Sequence, residues 1–316
     1  MTAGSLHIVK PGLLTTVQDL GRFGHQASGV PVAGPMDAFS HRVANHLAGN
    51  DATAATLEIT LIGPELVVDA DTTIAVAGAQ FEVTCDDRLV PSGTSFNVRK
   101  GQRIKFGRVL QGARAYLAVA GGVQTEPVLG SRATHLVSRM GGLNGRGLIA
   151  GDRVPVASGL PPRPQRKSPV MMLPSKGRAL LRVIAGPQAD WFEADALKTI
   201  AGVSFRISPQ SNRMGYRLQG PPLVRSNEGE LISEPLGIGA IQVPSAGEPI
   251  LLMADRQTAG GYPKIGYVIS ADLPLAGQLA PGDFIEFNLC TPREAVAALI
   301  ARERQLLRFS DLKDAS

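Results

Sequence analysis

The stretch TIAVAGAQFEVTC, residues 73–85, returns apolar and β-branched side chains at two-residue spacing, with Ile74 and Val76 followed by Phe81 and Val83. Two is the strand period, and a helix with this spacing would have no single apolar face. ARAYLAVAG (113–121), ALLRVIAG (179–186) and GAIQVP (239–244) carry the same signal on both sides of the chain's middle. KGQRIKF (100–106), AGDRVPV (150–156) and PGDFIEF (281–287) each set a glycine turn before an alternating strand. The chain therefore reads as mainly β with a few helices, in two β-barrel-like domains.

Composition bounds the same answer. At 316 residues the chain exceeds what one core ordinarily supports. ASGLPPRPQRKSPV (157–170) is rich in Pro, Arg and Ser and has no periodicity. It predicts a first domain over 1–157, a linker over 158–170 and a second domain over 171–316 that ends in a helix. Hydrophobic residues make up 44% and charged residues 19%, a globular balance, and the 36 glycines and 23 prolines suit many short strands and turns.

The formal charge is +5, with no basic block interleaved with aromatics, which sets nucleic acid aside and leaves room for an anionic metabolite. No apolar run has bilayer length, and MTAGSLHIVKPG lacks a signal-peptide core, so a cytoplasmic protein is expected. Cys85 and Cys290 stand apart from each other and from any CxxC, and read as two reduced, mostly buried thiols.

Three helices are predicted. In MDAFSHRVANHLAGN, Met36, Phe39, Val43 and Leu47 share one stripe, while Asp37, His41 and Asn45 share another. PQADWFEADALKTI gives a second. Thr291, Pro292 and Glu294 form a capping box for a third, over AVAALIARERQLL.

The phosphate loop GxxxxGK[ST], the GxSxG elbow, HExxH and the kinase set are all missing from the sequence. MGGLNGRGLIAGD (140–152) offers bare backbone and Arg146, but a strand-like segment follows it, so a turn cluster is favoured over an anion loop. Asp37 and His41 are four apart with no third ligand close in sequence. They read as a first-turn Asp and an exposed His, and no metal site is expected.

One stretch concentrates polar chemistry. The apolar run LLMA (251–254) leads into Asp255, Arg256, Gln257 and Thr258, followed by Gly260, Gly261, Tyr262 and Lys264. A guanidinium, an amide and a hydroxyl suit a carboxylate or phosphoryl oxygen, and glycines permit close backbone approach. A solvated hairpin is the alternative reading. Ser233, Glu234 and Gln242 form a second polar cluster, and Gln18, Asp19, Arg22 and Asp37 a third.

GLLTTVQDLGRFGHQASGVPVAGPMD (12–37), LEITLIGPEL (57–66), LGSRATH (129–135), GGLNGRGLIAGD (141–152), SNRMGYRLQGP (211–221), ISEPLGIGAIQVP (232–244) and ADRQTAGGYPKIGYVISADL (254–273) carry a resemblance. Together they resemble the biotin-dependent carboxyltransferase family, which includes allophanate hydrolase subunit 2 and KipA, and most of whose bacterial members are described as the C subunit of ATP-dependent 5-oxoprolinase. The resemblance covers nearly the whole chain. It implies two cyclophilin-like β-barrel domains and two partners, one KipI-like, of the allophanate hydrolase subunit 1 family, and one lamB/YcsF-like. The implied reaction is ring opening of 5-oxo-L-proline to L-glutamate coupled to ATP hydrolysis. ATP with magnesium would be bound by this chain or by a partner.

Under that expectation Arg256 and Lys264 hold anionic oxygens, Gln257 and Thr258 orient the substrate, and Asp255 or Glu234 positions a proton donor or Arg256 itself. Gly260, Gly261, Tyr262 and Gln242 complete the substrate site, with Arg22, Asp37 and Arg132 as further candidates. The same resemblance admits carboxyl transfer from carboxybiotin to urea or a similar amide. The chain has no Ala-Met-Lys-Met-like biotinylation motif, so biotin would come on another protein. A third alternative is a KipA-like binding module that antagonises a kinase inhibitor.

Overall fold

The computed structural model describes residues 3–168, 172–193, 195–227 and 229–311. The chain forms two compact units. The first draws on Met1–Arg22, Ala33–Leu173 and Leu306–Ser316, and the second on Phe23–Val32 and Pro174–Gln305.

Nine strands build the first unit: β1 (Ala3–Lys10), β2 (Leu14–Gln18), β3 (Thr56–Thr60), β4 (Glu65–Val68), β5 (Thr72–Cys85), β6 (Arg88–Val90), β7 (Ser95–Val98), β8 (Arg103–Val119) and β9 (Arg153–Ala157). They join in one curled sheet of order β2-β3-β8-β4-β1-β9, with β5 pairing β6, β7 and β8 off that path. The decisive stretch 73–85 lies in β5, and both of its faces are covered. Ile74 and Val76 belong to the sheet's main core with Leu6, Leu57, Ile104 and Leu117. Ala75 and Ala77 lie under helix α1 (Ala38–Leu47), packed with Phe39, Val43 and Leu47.

Small side chains on that second face leave room for the helix. The alternation also changes phase within β5. Pairing with β8 shifts register between Gly78 and Gln80, and beyond it Ala79, Phe81 and Val83 face the core. Such an irregularity moves the buried set from even to odd positions.

Asp37 caps α1, its carboxylate accepting from Ser40 N at 2.8 Å and from Ser40 Oγ at 2.6 Å. His41, expected on the surface, is instead fully buried. Its stripe faces polar groups of the fold: Nδ1 lies 3.0 Å from Thr56 Oγ1, and Nε2 lies 3.3 Å from Asn45 Nδ2. The expected linker also docks within the first unit. Ser95 N donates to Arg166 O, and Ser168 N donates to Gly93 O. Its last two residues lie outside the described ones.

The second unit holds β10 (Arg178–Ala185), β11 (Ser204–Ile207), β12 (Gly215–Gln219), β13 (Glu234–Pro235), β14 (Ala240–Gln242), β15 (Ile250–Leu252), β16 (Ala259–Gly260), β17 (Lys264–Val268) and β18 (Phe284–Leu289). Seven of these close a barrel in the order β10-β17-β14-β15-β12-β11-β18, and β13 pairs with β16 as a separate ribbon. The seam is a parallel pairing of β10 with β18, while the other barrel neighbours are antiparallel. Leu181, Val183, Phe205, Ile207, Leu218, Ile241, Leu251, Ile265 and Phe287 are buried, each on a barrel strand.

The region predicted as the second helix resolves into a 3-10 turn, Ala189–Trp191, and a short α2 (Ala196–Gly202). A further short helix, α3 (Leu273–Gly277), has no periodic signal in the sequence. In α4 (Pro292–Asp311) the capping box forms as read: Thr291 N donates to Glu294 at 2.7 Å, and Glu294 N donates to Thr291 Oγ1 at 3.3 Å. Cys85 and Cys290 are free and half-buried. Among the described residues no helix is long and apolar enough to cross a membrane.

Candidate functional site

Strands β12, β14 and β15 end around a recess of about 210 Å³ in the second unit. Its floor is Met214, Gly215, Ile250 and Leu252; its polar lining is Arg217, Arg256, Gln210, Asn212, Gln242, Gln257 and Tyr262. No Asp or Glu is among these residues. Two guanidiniums and four amides without a lining carboxylate favour an oxygen-rich anion.

The backbone carrying Arg256 is held from below. Asp255 N donates to Arg213 O at 2.9 Å, and Met253 N to Met214 O at 2.9 Å. The side chains repeat the link: Arg213 Nε and Nη2 each donate to an Asp255 oxygen at 2.9 Å, with the two side chains only 5% and 2% exposed. This fork lashes the loop before β12 to the turn after β15, which are the two walls bearing Asn212 and Arg256.

Arg256 itself has no carboxylate partner among the described residues. Its Nε donates to Leu236 O at 3.1 Å. Burial lowers its pKa, yet a guanidinium begins so high that the charge remains. A partly desolvated, unneutralised cation lining a recess is a strong attractor of anions.

Gly260 explains why the two glutamines can crowd. A Cβ there would meet Gln257 Nε2 at 2.7 Å, Leu236 Cδ1 at 2.9 Å and Gln242 Nε2 at 3.3 Å. Gln242 is buried, with Nε2 donating to Tyr262 O at 3.4 Å. Gly261 is equally confined, its Cβ position lying 2.9 Å from Leu231 O.

Other expected residues sit elsewhere. Lys264 is buried and ion-paired with Glu234, which also accepts from Gln188 Nε2 at 2.8 Å. The Lys264 ammonium, with help from the Gln188 amide, holds the Glu234 carboxyl below the usual range. Thr258 contributes its carbonyl to Leu236 N at 2.9 Å. Arg22, Asp37 and Arg132 belong to the first unit. There Arg22 donates to Ala133 O, Asp37 caps α1, and Arg132 Nε donates to Thr125 O at 2.7 Å.

Sequence reasoning missed Arg217, Gln210 and Asn212 as site residues. Arg217 was legible in part: in GYRLQ it alternates with buried Tyr216 and Leu218, which turns it outward. Nothing local revealed that β12 pairs with β15 and so brings Arg217 opposite Ile250.

A curled β-sheet unit followed by a closed barrel is the architecture of a carboxyltransferase domain. The crystal structure of the Kluyveromyces lactis urea amidolyase matches it with a TM-score of 0.91 at 31% identity, over 96% of this chain and 20% of that one. This chain thus spans about a fifth of that protein. The chain belongs to the carboxyltransferase family: the profile described as carboxyltransferase domain, subdomain A and B, matches residues 28–289. It is 40% identical over 307 residues to the C subunit of 5-oxoprolinase from Escherichia coli K12, covering 97% of both chains. It is 36% identical over 280 residues to the Haemophilus influenzae protein of the same name, covering 89% of both.

Proposed function

We propose that this chain serves as the C subunit of an ATP-dependent 5-oxoprolinase and acts only with its partners, one KipI-like and one lamB/YcsF-like. The observation that carries this reading is the 40% identity over 97% of both chains to a protein of that name. The recess supports it, because the reaction moves charged oxygens. A lactam is a poor electrophile, so its carbonyl oxygen first takes the γ-phosphoryl group of ATP, releasing ADP. Water then adds to the activated carbon, the ring nitrogen leaves as the amine, and a second water releases phosphate and glutamate. Cations and amide donors at the developing charge lower the barrier for such transfers.

In this scheme Arg256 and Arg217 hold substrate or phosphoryl oxygens, and Gln242 and Gln257 orient them. Asp255, through Arg213, positions the turn. Lys264 and Glu234 brace the β13 ribbon behind it. Purified chain is combined with the two partner proteins and assayed for ATP hydrolysis with and without 5-oxoproline. Stimulation only in the complete mixture supports the reading, and oxoproline-independent ATPase or none at all overturns it.

Carboxyl transfer from carboxybiotin to urea is a second reading, favoured by the TM-score of 0.91 to the urea amidolyase. It requires a biotinylated partner and bicarbonate. Inhibition of turnover by avidin would select it.

A further inference from the structure

Arg217, Ile250 and Gln242 stand in one row across three neighbouring strands of the second unit, because Ile250 is the register partner of both Arg217 in β12 and Gln242 in β14. Their chain neighbours Tyr216, Leu218, Leu251 and Ile241 are buried in the barrel, so the row faces outward, into the recess that all three line. Strand spacing sets its two polar ends roughly 10 Å apart at the backbone, with one apolar side chain between them. In the next row Gly215 pairs with Leu252, which extends the apolar strip and adds no side chain from β12.

The two ends differ in chemistry. At the first, Arg217 N donates to Ser211 Oγ at 3.0 Å, while the guanidinium makes no hydrogen bond or ion pair among the described residues. At the second, Gln242 is 2% exposed, its Nε2 lies 3.4 Å from Tyr262 O, and its Oε1 accepts no hydrogen bond among the described residues. A buried amide with an unused acceptor calls for a partner in the adjoining space. Gly260 brings a second amide to this end, since its Cβ position lies 2.7 Å from Gln257 Nε2 and 3.3 Å from Gln242 Nε2. Arg256 closes it, with Nε on the carbonyl of Leu236, whose side chain also borders Gly260.

Size narrows the choice of ligand. About 210 Å³ is below the roughly 300–1,000 Å³ that drug-sized ligands occupy, which sets a nucleotide aside and leaves a molecule of amino-acid size. A guanidinium answers a carboxylate with two parallel hydrogen bonds. A lactam edge presents an N–H and a C=O side by side, and a carboxamide carries the matching acceptor and donor. The row therefore describes a small carboxylic acid with an amide at its far side and saturated carbons between.

We propose that Arg217 is the carboxylate anchor of this recess and that the end formed by Gln242, Gln257 and Arg256 takes the amide of a small cyclic lactam. That the lactam is 5-oxo-L-proline rests on the function proposed above. The test is equilibrium binding of 5-oxo-L-proline and of 2-pyrrolidinone, the same ring without its carboxylate, to the full-length chain and to its complex with the two partners. Wild type is expected to prefer the carboxylate about 10- to 100-fold. Arg217→Ala should erase that preference by weakening 5-oxo-L-proline alone, and Arg217→Lys should restore part of it. Gln257→Ala should weaken both ligands and keep the preference, a split that a merely structural role for Arg217 would not give. Unchanged thermal unfolding shows that each variant is folded, and inorganic phosphate and ADP should not displace 5-oxo-L-proline.

A preference retained in Arg217→Ala, displacement by phosphate or ADP, or no binding of 5-oxo-L-proline by either the chain or the complex overturns the inference. If the complete mixture shows oxoproline-dependent ATPase and Arg217→Ala keeps the preference, this inference fails and the proposed function stands. If binding depends on Arg217 and oxoproline never stimulates turnover, the inference stands and the proposed function fails.

Discussion

Arg213 and Asp255 meet in a buried, two-pronged ion pair, each prong 2.9 Å long, directly beneath the turn that presents Arg256. Removing either partner takes this two-pronged counterion from the other buried charge. Asp255→Ala or Arg213→Ala should therefore cost roughly 3–5 kcal/mol of stability, read as a lowered denaturant midpoint. The double variant Arg213→Met, Asp255→Leu should recover part of that loss, because neither charge is then stranded. A single variant as stable as wild type would show the pair to be dispensable.

Among the described residues Arg256 has one carbonyl contact and no ion pair, so its replacement should spare the fold and remove a recognition element. Arg256→Ala should reduce oxoproline-dependent ATPase of the complex about 10- to 100-fold, the worth of a charge-assisted hydrogen bond. Arg256→Lys should fall between, since it keeps charge and loses the planar fork. Unaltered steady-state kinetics in the alanine variant would remove Arg256 from the site.

Gly260 is the test of the recess as a space. In Gly260→Ala the new methyl must displace the Gln257 or Gln242 amide or Leu236. A displacement of about 1 Å can cost on the order of a hundredfold in turnover. The expected result is a large kinetic defect with a small change in thermal unfolding. The opposite pattern would mark Gly260 as a packing residue only.

His41 gives the protein an acid-sensitive fold. Burial depresses its pKa from 6.5 to about 4, only partly opposed by the negative charges of Asp19 and Glu58 and reinforced by Arg42. The folded state thus keeps the ring neutral while the unfolded chain takes up a proton near pH 6.5. The stability it confers is complete above that pH and is lost as pH falls toward 4, by about 3 kcal/mol in all. Urea unfolding at a series of pH values should show this decline, and His41→Gln should flatten it between pH 6.5 and 4. Parallel curves for the two proteins would reject the assignment.

The strands were legible because their cause is local. Residues 73–85, 113–121 and 179–186 carry a two-residue period that the sheet then uses, and Thr291 with Glu294 announces α4 within four positions. Burial of His41 was not legible, because it depends on Thr56 arriving from another strand. The phase change in β5 was hidden for the same reason: it exists only against β8. At the recess, Arg256, Gln257 and Gln242 stood out as a polar run and its neighbours. Arg217 and Asn212 come from a separate segment, and only the barrel's pairing order joins them. The double role of charge was equally non-local. Asp255 and Arg256 are adjacent in sequence, yet Arg213 neutralises one and leaves the other exposed to ligand.

The parallel seam between β10 and β18 has a consequence for biogenesis. The first strand of the barrel finds its final neighbour about a hundred residues later in the chain, so every pairing except the two that β18 makes, with β10 and with β11, can be in place while those two edges still stand open. During synthesis the cylinder stays unsealed until residues 284–289 leave the ribosome. A nascent chain stalled before that point would offer β10 as a bare edge, ready to recruit a strand from any neighbouring polypeptide.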